Sequence, residues 1–430
     1  MPNNRIKADV IIHHIGQLAT IAGYSNAPCV RADESNLGLI GKASAPNVCV
    51  AATNGRICYF GPQDNLSEKV ATGSAEEIDA RGALVVPGFV DPHTHAIFAG
   101  SREGEINDKL EGLSYLEILA KGGGILRTMR DTRNATDNDL FTQTKSRLEK
   151  MMSLGTTTVE IKTGYGLDVK NELRLLQVID ELRKSLPIDI VPTLLSAHAI
   201  PPEFAGNVSS YIEQVVFPTI DLASEKNLAD FCDVFMEEGV FGRVETREIF
   251  DYARSKEMKL KIHADEFSDL GGAALASASK VASADHLMRA SKEGISALAN
   301  AGVLCVLLPG TSFSSFSTSY ANAREIARTG APIALGTDLS PNSWILSMQF
   351  VMSMSCYGMR MTPAETLVGA TINSAHAIDK AREVGSIEIG KKCDLVITEL
   401  SNYEEMPYRI GANFVGTVIK EGRIVANNQS

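Results

Sequence analysis

The middle of the chain alternates short apolar runs with longer segments whose apolar residues recur at helical spacing. The apolar runs predict eight strands, at Leu84–His95, Thr158–Thr163, Ile188–His198, Cys232–Glu238, Leu260–Asp265, Val281–Leu287, Val303–Pro309 and Pro332–Asp338. The periodic segments predict helices between them, among them Asp139–Leu154, Asn171–Ser185, Val244–Lys256, Lys292–Ala301 and Tyr320–Arg328. This alternation is typical of parallel βαβ units.

Eight parallel strands suit a closed (β/α)8 barrel. The competing architecture is an open, doubly wound sheet that binds a nucleotide. However, no G-x-G-x-x-G follows the first strand, and Gly122-Gly-Gly124 lacks the Lys-Ser/Thr of a phosphate loop. We therefore predict an α/β protein with a (β/α)8 TIM-like barrel.

The two ends of the chain have a different pattern, with short β-type runs broken by glycine and proline. These runs are Ala8–Ile12, Val48–Ala52, Arg56–Phe60, Cys393–Thr398, and a hairpin of Val415–Lys420 with Arg423–Ala426. Because a short sheet needs a partner to bury its apolar face, we predict one small β-sandwich domain formed from both chain termini. Its predicted extent is residues 1–88 plus 385–430, which leaves residues 89–384 for the barrel.

Composition narrows the class of partner. A hydrophobic content of 44% with 22% charged residues is that of a soluble globular protein. The net charge of −11 argues against nucleic acid and anionic membranes, since both require a basic face, and no run approaches the ~18 apolar residues of a membrane span. The seven cysteines are odd in number and include no C-x-x-C pair, which favours reduced thiols in the cytoplasm. We expect a small-molecule substrate, no nucleic-acid or membrane partner, and a homodimer.

Titratable side chains stand at the ends of most predicted strands. They are His93 and His95, Lys162, His198, Glu237 and Glu238, His263 with Glu266 just beyond, His286 and Asp338. Because the carboxyl ends of barrel strands converge on the active site, residues far apart in sequence meet there.

The pair His93 and His95 has the i, i+2 spacing that places two side chains on the same face of a strand. Three imidazoles and one carboxylate would hold a divalent ion, zinc most readily, with iron, manganese or nickel also compatible with these ligands. A coordinated water would then ionise near neutral pH while a carboxylate takes its proton, and Asp338 and Glu266 are the candidates.

Several of these residues also have a structural interpretation. His198 could be a buried histidine bonded to backbone, and His286 could form a structural pair with its neighbour Asp285. Lys162 could be a carbamylated bridging ligand, although a positioning role is the better interpretation. His376 lies on a predicted helix and is interpreted as a packing residue.

Seven motifs in the chain carry a family resemblance. They are Asp91–Glu103, Gly122–Ile125, Glu160–Leu167, His263–Phe267, Ala284–Met288, Leu307–Gly310 and Met361–Glu365. With His93-Thr-His95 and Gly336-Thr-Asp338, they resemble the imidazolonepropionase family, in the mononuclear branch of the amidohydrolase superfamily.

The resemblance implies hydrolysis of 4-imidazolone-5-propanoate to N-formimino-L-glutamate, the ring-opening step of histidine degradation. It implies one divalent metal ion, zinc or iron, held by His93, His95, His263 and Asp338. It also implies substrate contacts from Arg102, Tyr165, His198 and Glu266, and catalytic roles for Glu266, His286 and Asp338. Apart from the resemblance, a propionate carboxylate favours a positively charged group that can donate two hydrogen bonds, such as the Arg102 guanidinium.

One segment departs from the family. After the metal-binding aspartate the family has Asn at the second position and Gly at the fourth, where this chain has Ser340 and Asn342, followed by Ser343. These three side chains remain candidate substrate contacts. They could equally mark a shifted preference, so a related deaminase acting on a cyclic amidine is the alternative enzyme. A catalytically silent scaffold is the alternative outside enzymes, and the complete ligand set argues against it.

Overall fold

The structure is a computed structural model, which describes residues 5–113, 117–118 and 121–428. The chain divides into two compact units. The first comprises residues 1–91, 150–158 and 347–430, and the second comprises residues 92–149 and 159–346. The predicted domain boundaries, after residue 88 and before residue 385, stay a prediction.

Eight parallel strands form one sheet in sequential order and build a nearly closed barrel, which confirms the predicted fold class. We number them β1 to β8: Phe89–Asp91, Thr156–Lys162, Asp189–Ala197, Phe231–Met236, Lys259–Ala264, Ser283–His286, Leu304–Leu307 and Ile333–Leu335. Beyond the ends of β8 and β1, Asp338 N donates to His93 O at 3.1 Å and His95 N donates to Leu339 O at 2.8 Å. These bonds join the last strand to the first at the end where the candidate residues lie.

The predicted first strand, Leu84–His95, is wrong as a single element. It breaks at Gly88, so that Leu84–Pro87 belongs to another sheet and only Phe89–Asp91 enters the barrel. A Cβ on Gly88 would lie 2.3 Å from Thr157 Oγ1, so only glycine fits where the chain changes sheets. His93 and His95 therefore follow the strand in extended backbone around Thr94, which forms an isolated bridge with Leu339.

The other barrel strands end one to three residues before the predicted ends. The reason is that the chain leaves the sheet to form the site: Asp265, His286 and Asp338 all have positive φ angles, of 51°, 74° and 51°. Such backbone is costly outside glycine and persists where the surrounding structure imposes it.

Several of the helices between the strands begin at a residue whose side chain caps the first turn. In Val169–Ser185 the Asp168 side chain accepts from Asn171 N, and in Lys292–Ala301 the Ser291 side chain accepts from Gly294 N. The helices along the barrel are Glu105–Leu110, Gly124–Asn134, Asp137–Ser153, Val169–Ser185, Val208–Tyr211, Phe217–Glu225, Arg243–Ser255, Gly272–Ser279, Lys292–Ala301, Pro309–Ser314 and Ala323–Thr329.

The first unit contains a six-stranded sheet, a four-stranded sheet and the short pair of Ile6–Lys7 with Val70–Ala71, and both ends of the chain contribute strands to the six-stranded sheet. The six-stranded sheet has the order Arg423–Asn427, Val415–Lys420, Leu395–Thr398, Leu84–Pro87, Gln17–Ala19 and Leu39–Ile40, and the four-stranded sheet has the order Arg56–Pro62, Val48–Thr53, Val10–Ile15 and Glu76–Asp79. Both sheets contribute to one apolar core, with Ile12 and Val50 from the smaller sheet and Val85 and Leu395 from the larger. This unit also carries the helices Leu66–Lys69, Met348–Met359, Pro363–Gly369, Ile372–Ala377 and Glu405–Tyr408.

Among the residues that the structure describes, no helix combines the length and the hydrophobicity needed to span a bilayer.

Candidate metal centre and active site

The ends of β1, β5 and β8 bring four donor groups together. Asp338 Oδ1 lies 3.6 Å from the Nε2 atoms of both His93 and His95, and His263 Nε2 lies 3.3 Å from His95 Nε2. Ligands about 2.0–2.1 Å from a tetrahedral ion are themselves roughly 3.3–3.4 Å apart. These distances suit donors to one metal ion, and two groups of three donors share His93: His93 with His95 and Asp338, and His93 with His263 and His286.

Two buried carboxylates orient the histidines from behind. Asp285 Oδ2 lies 2.6 Å from His93 Nδ1, and Asp233 Oδ2 lies 3.1 Å from His263 Nδ1. A carboxylate on one ring nitrogen fixes the tautomer and directs the other nitrogen to the metal. The arrangement is thus that of metal-ligating imidazoles. The structural pairing of Asp285 with His286 is wrong, because neighbouring strand residues point to opposite faces and the Asp285 carboxylate faces His93.

These carboxylates belong to a buried charge network. Lys162 Nζ lies 2.7 Å from Asp233 Oδ2 and 3.0 Å from Glu160 Oε2, and Lys261 Nζ lies 2.8 Å from Glu160 Oε2. Burial by itself would lower the pKa of Lys162, but the Asp233, Glu160 and Asp285 carboxylates raise it above its ordinary value. Lys162 is therefore a charged partner of the orienting carboxylates.

Burial also sets the protonation of the donors. Loss of hydration lowers the pKa values of His93, His95 and His286 well below the ordinary histidine value, which keeps these rings neutral and available to a cation. Burial raises the pKa of Asp338 to about 6. The hydrogen bond that Thr311 Oγ1 donates to Asp338 Oδ2, at 2.5 Å, lowers this pKa in part. A bound cation would favour the ionised form of this carboxyl.

A pocket opens beside the donor set. It is lined by His95, Arg102, Ile125, Tyr165, His198, Phe235, His263, Glu266, Phe267, His286, Thr311, Asp338, Ser340 and Asn342. The structure thus brings together every predicted catalytic residue and six of the seven predicted substrate contacts. The seventh, Ser343, is fully buried beside the pocket, where its N–H donates to Ser340 Oγ at 3.1 Å.

Arg102 supplies the pocket with a fixed cation. Its Nε and Nη2 donate to Glu105 Oε2 at 2.9 and 2.8 Å, while Glu105 Oε1 accepts from Gly124 N at 2.8 Å. The Glu105 carboxylate holds the guanidinium in place, and the Arg102 side chain lines the pocket. A planar, permanently charged group held in this way suits a carboxylate ligand.

Glu266 and His286 face each other across the pocket, with Glu266 Oε2 3.6 Å from His286 Nε2. Burial, together with the negative charges of Asp338 and Glu237, raises the pKa of Glu266 well above its ordinary value. His286 also lies close enough to His93 and His263 to count as a further metal donor. His198 stacks on His95 with ring centroids 4.9 Å apart, and its Nδ1 lies 3.1 Å from Gly164 O.

Several residues of this site were not predicted from the sequence. These are Asp233, Lys261, Glu160 and Thr311, although a signal existed for two of them. Glu160 and Lys261 stand two residues before Lys162 and His263 in the same strands, so each shares a face with a strand-end candidate.

Glu237 has a supporting role in the site. Its Oε2 accepts from Phe267 N at 2.9 Å and so holds the segment that follows Glu266.

Two histidine groups lie in the other unit. His13, His14 and Asp79 form a partly exposed cluster in which His14 Nδ1 lies 3.1 Å from Asp79 Oδ1. His376 Nε2 lies 2.6 Å from Tyr24 O, in agreement with a packing role.

The fold and the donor set together define a metal-dependent hydrolase of the amidohydrolase type, and comparison with known proteins agrees. The model of the amidohydrolase family matches residues 84–425, and the chain belongs to this family. Curated relatives that match nearly the whole chain include imidazolonepropionases. The one from Geobacillus kaustophilus (strain HTA426) is 44% identical over 422 residues, covering 97% of this chain and 98% of the relative. The one from Alkaliphilus oremlandii (strain OhILAs) is 43% identical over 418 residues, with the same coverage of 97% and 98%.

Solved structures share the fold at low sequence identity. An adenosine deaminase from Xanthomonas campestris with bound zinc has a TM-score of 0.71 at 17% identity, covering 98% of this chain and 93% of that one. A mutant of the atrazine chlorohydrolase TrzN from Arthrobacter aurescens TC1, complexed with zinc and atraton, has a TM-score of 0.73 at 14% identity, covering 98% and 97%. These similarities support the architecture alone.

Proposed function

We propose that this protein hydrolyses 4-imidazolone-5-propanoate to N-formimino-L-glutamate, with zinc or iron as its metal. The observation that carries the proposal is a buried, oriented arginine in a pocket lined by three of the four candidate metal donors, with His93 next to them. Relatives of this name that are 43–44% identical over 97% of the chain support the same substrate.

Substrate binding follows from the charges of the pocket. The propionate carboxylate pairs with Arg102, whose orientation is fixed by Glu105. Tyr165 and His198 lie side by side on the pocket wall, with ring centroids 5.4 Å apart, and provide an aromatic surface for the substrate ring. This arrangement directs the ring amide toward the ends of β1, β5 and β8.

The reaction adds water to the carbonyl carbon of the ring amide, breaks the ring C–N bond, and leaves a new carboxylate and a protonated nitrogen. His93, His95, His263 and Asp338 would hold the divalent ion, which supplies Lewis acidity to polarise the carbonyl and lower the pKa of water. Asp338, once ionised, accepts the proton of the attacking water. Glu266, whose pKa is raised by burial and by the Asp338 and Glu237 charges, carries a proton to the leaving nitrogen.

His286 completes the site as a neutral donor beside the attacked carbonyl. Its Nε2 lies 3.6 Å from Glu266 Oε2, which brings both groups to the same reacting centre. A neutral imidazole can donate a hydrogen bond to the oxygen on which charge develops.

The direct test is incubation of the metal-loaded protein with freshly prepared imidazolonepropionate, following the loss of its ultraviolet absorbance. We expect loss that depends on metal and on protein, with formation of formiminoglutamate. Release of ammonia without ring opening would instead indicate deaminase chemistry. Absence of any metal-dependent loss would refute the proposed substrate.

We also propose that the protein works in the cytoplasm as a homodimer. All seven cysteines are free, which is compatible with a reducing compartment. Analytical ultracentrifugation of the metal-loaded protein would measure the association state.

A further inference from the structure

Asn342, one of the two residues that depart from the family, is held from outside the pocket by a lysine. Lys109 Nζ lies 2.8 Å from Asn342 Oδ1 and 3.2 Å from Ser314 O. An ammonium group has donors and no acceptor, so it must face the oxygen of the amide and not its nitrogen. The NH2 group of Asn342 is thereby turned away from Lys109, and Asn342 lies on the pocket wall.

Ser340, the other departing residue, is held in a similar way. The N–H of Ser343 donates to Ser340 Oγ at 3.1 Å, which leaves the serine O–H as the group that can donate. Ser340, Asn342 and Arg102 all line the same pocket. This part of the wall therefore offers hydrogen-bond donors from three side chains.

Lys109 is partly buried and directs its hydrogen bonds to specific oxygen atoms. Burial lowers the pKa of Lys109, the charge of Arg102 lowers it further, and the Glu105 carboxylate raises it in part. Both hydrogen-bond partners of Lys109 are neutral oxygens, and among the described residues no carboxylate forms an ion pair with it within 4.0 Å. The Lys109 ammonium therefore directs its hydrogen bonds to Asn342 and Ser314 without a carboxylate in direct contact.

We propose that Lys109 is a positioning residue that fixes the Asn342 amide with its NH2 toward the pocket, so that Asn342, Ser340 and Arg102 form a donor subsite for the substrate carboxylate. This inference rests on the proposed function for the identity of the substrate. It assigns to Lys109 no contact with the substrate, since Lys109 acts through Asn342. The serine and asparagine of this chain thus work as a set with a lysine from another part of the sequence.

The test compares Lys109→Met with Lys109→Arg and with Lys121→Met as a matched control. Lys121 is an exposed lysine whose Nζ lies 3.1 Å from Asp108 Oδ1, away from the pocket lining. The metal-loaded proteins are titrated calorimetrically with 3-(imidazol-4-yl)propanoate and with its uncharged methyl ester, and KM and kcat are measured with imidazolonepropionate.

We expect Lys109→Met to raise the Kd of the propanoate and the KM about tenfold, the loss typical of a misplaced donor to a charged group, while kcat changes less than about threefold. The methyl ester should bind Lys109→Met and wild type alike. Lys109→Arg should retain affinity within about threefold, and Lys121→Met should match wild type.

A double-mutant cycle with Asn342→Gly tests the route of the effect. If Lys109 acts through Asn342, then Lys109→Met has no further effect on the Kd in the Asn342→Gly background. An undiminished effect there, an unchanged Kd in Lys109→Met, or a wild type that does not bind the propanoate would each overturn the inference. Failure of wild type to turn over imidazolonepropionate would refute the proposed function separately, because the binding comparison does not need turnover.

Discussion

Replacing Asp285 with asparagine tests whether the buried carboxylates behind the histidines determine metal affinity. Asp285 Oδ2 lies 2.6 Å from His93 Nδ1 and 3.6 and 3.8 Å from the Nζ atoms of Lys162 and Lys261. Asparagine has nearly the same shape and can still accept from the imidazole N–H, but it removes the negative charge. The substitution therefore isolates the electrostatic contribution of this position.

The expected magnitude follows from the distances. With 2.6 Å from carboxylate to ring, plus about 2 Å across the ring and about 2 Å to a metal, the carboxylate charge lies roughly 6–7 Å from the ion. At an effective dielectric constant of about 20, the attraction to a dication is about 5 kcal/mol. The cost of burying the carboxylate offsets part of this, and such outer carboxylates typically change metal affinity ten- to a hundredfold, about 1.4–2.7 kcal/mol. We expect Asp285→Asn to be near the upper end.

The assay is competition for zinc against a chromogenic chelator, with thermal unfolding as a check on the fold. Asp394→Asn is a matched control, because Asp394 is also a buried carboxylate, and its Oδ2 lies 2.6 Å from Lys420 Nζ in the other unit. We expect the control to lose stability and keep its metal Kd. A folded Asp285→Asn protein that binds zinc within twofold of wild type would refute the reasoning.

Three further outcomes follow from the site. Arg102→Ala should raise KM about 10- to 100-fold through loss of a charge-assisted pair while metal content by elemental analysis stays the same, and loss of metal would contradict a substrate-binding role. Glu266→Gln should keep its metal but lose roughly 10²–10⁴ in kcat, so near-normal turnover would remove Glu266 from proton transfer. Because burial raises the pKa of Asp338 to about 6, metal binding should displace close to one proton from this group below pH 6 and almost none at pH 8. Apparent affinity should accordingly fall about tenfold per pH unit below 6, measured by calorimetry in buffers of different ionisation enthalpy; equal proton release at pH 5 and 8 would contradict this.

Much of the fold could be predicted because each barrel strand is a local feature. A run such as Val303–Pro309 is apolar over the length of one strand, and neighbouring residues determine the patterns of this run and of the helices beside it. The segment Leu84–His95 reads as one strand because its apolar pattern is continuous. The break at Gly88 depends on the approach of Thr157, about 70 residues away in sequence, which no local pattern records.

The residues of the candidate site were likewise predictable from the sequence only in part. His93, His95, His263 and Asp338 were accessible because chemically distinctive residues at strand ends must converge in a barrel. Asp233 was not, because the role of a charged residue inside a strand can be assigned only when its partner is known. Lys162 pairs with Asp233 across 71 positions of sequence at 2.7 Å.

The sequence by itself determined the architecture, the candidate metal donors and the candidate cation for a carboxylate, because these depend on residue type and on local periodicity. Only the tertiary structure decided which carboxylate faces which imidazole, and that Lys109 directs the amide of Asn342. Such contacts join residues that are distant in the chain, and their direction depends on distances of a few ångströms that folding alone produces.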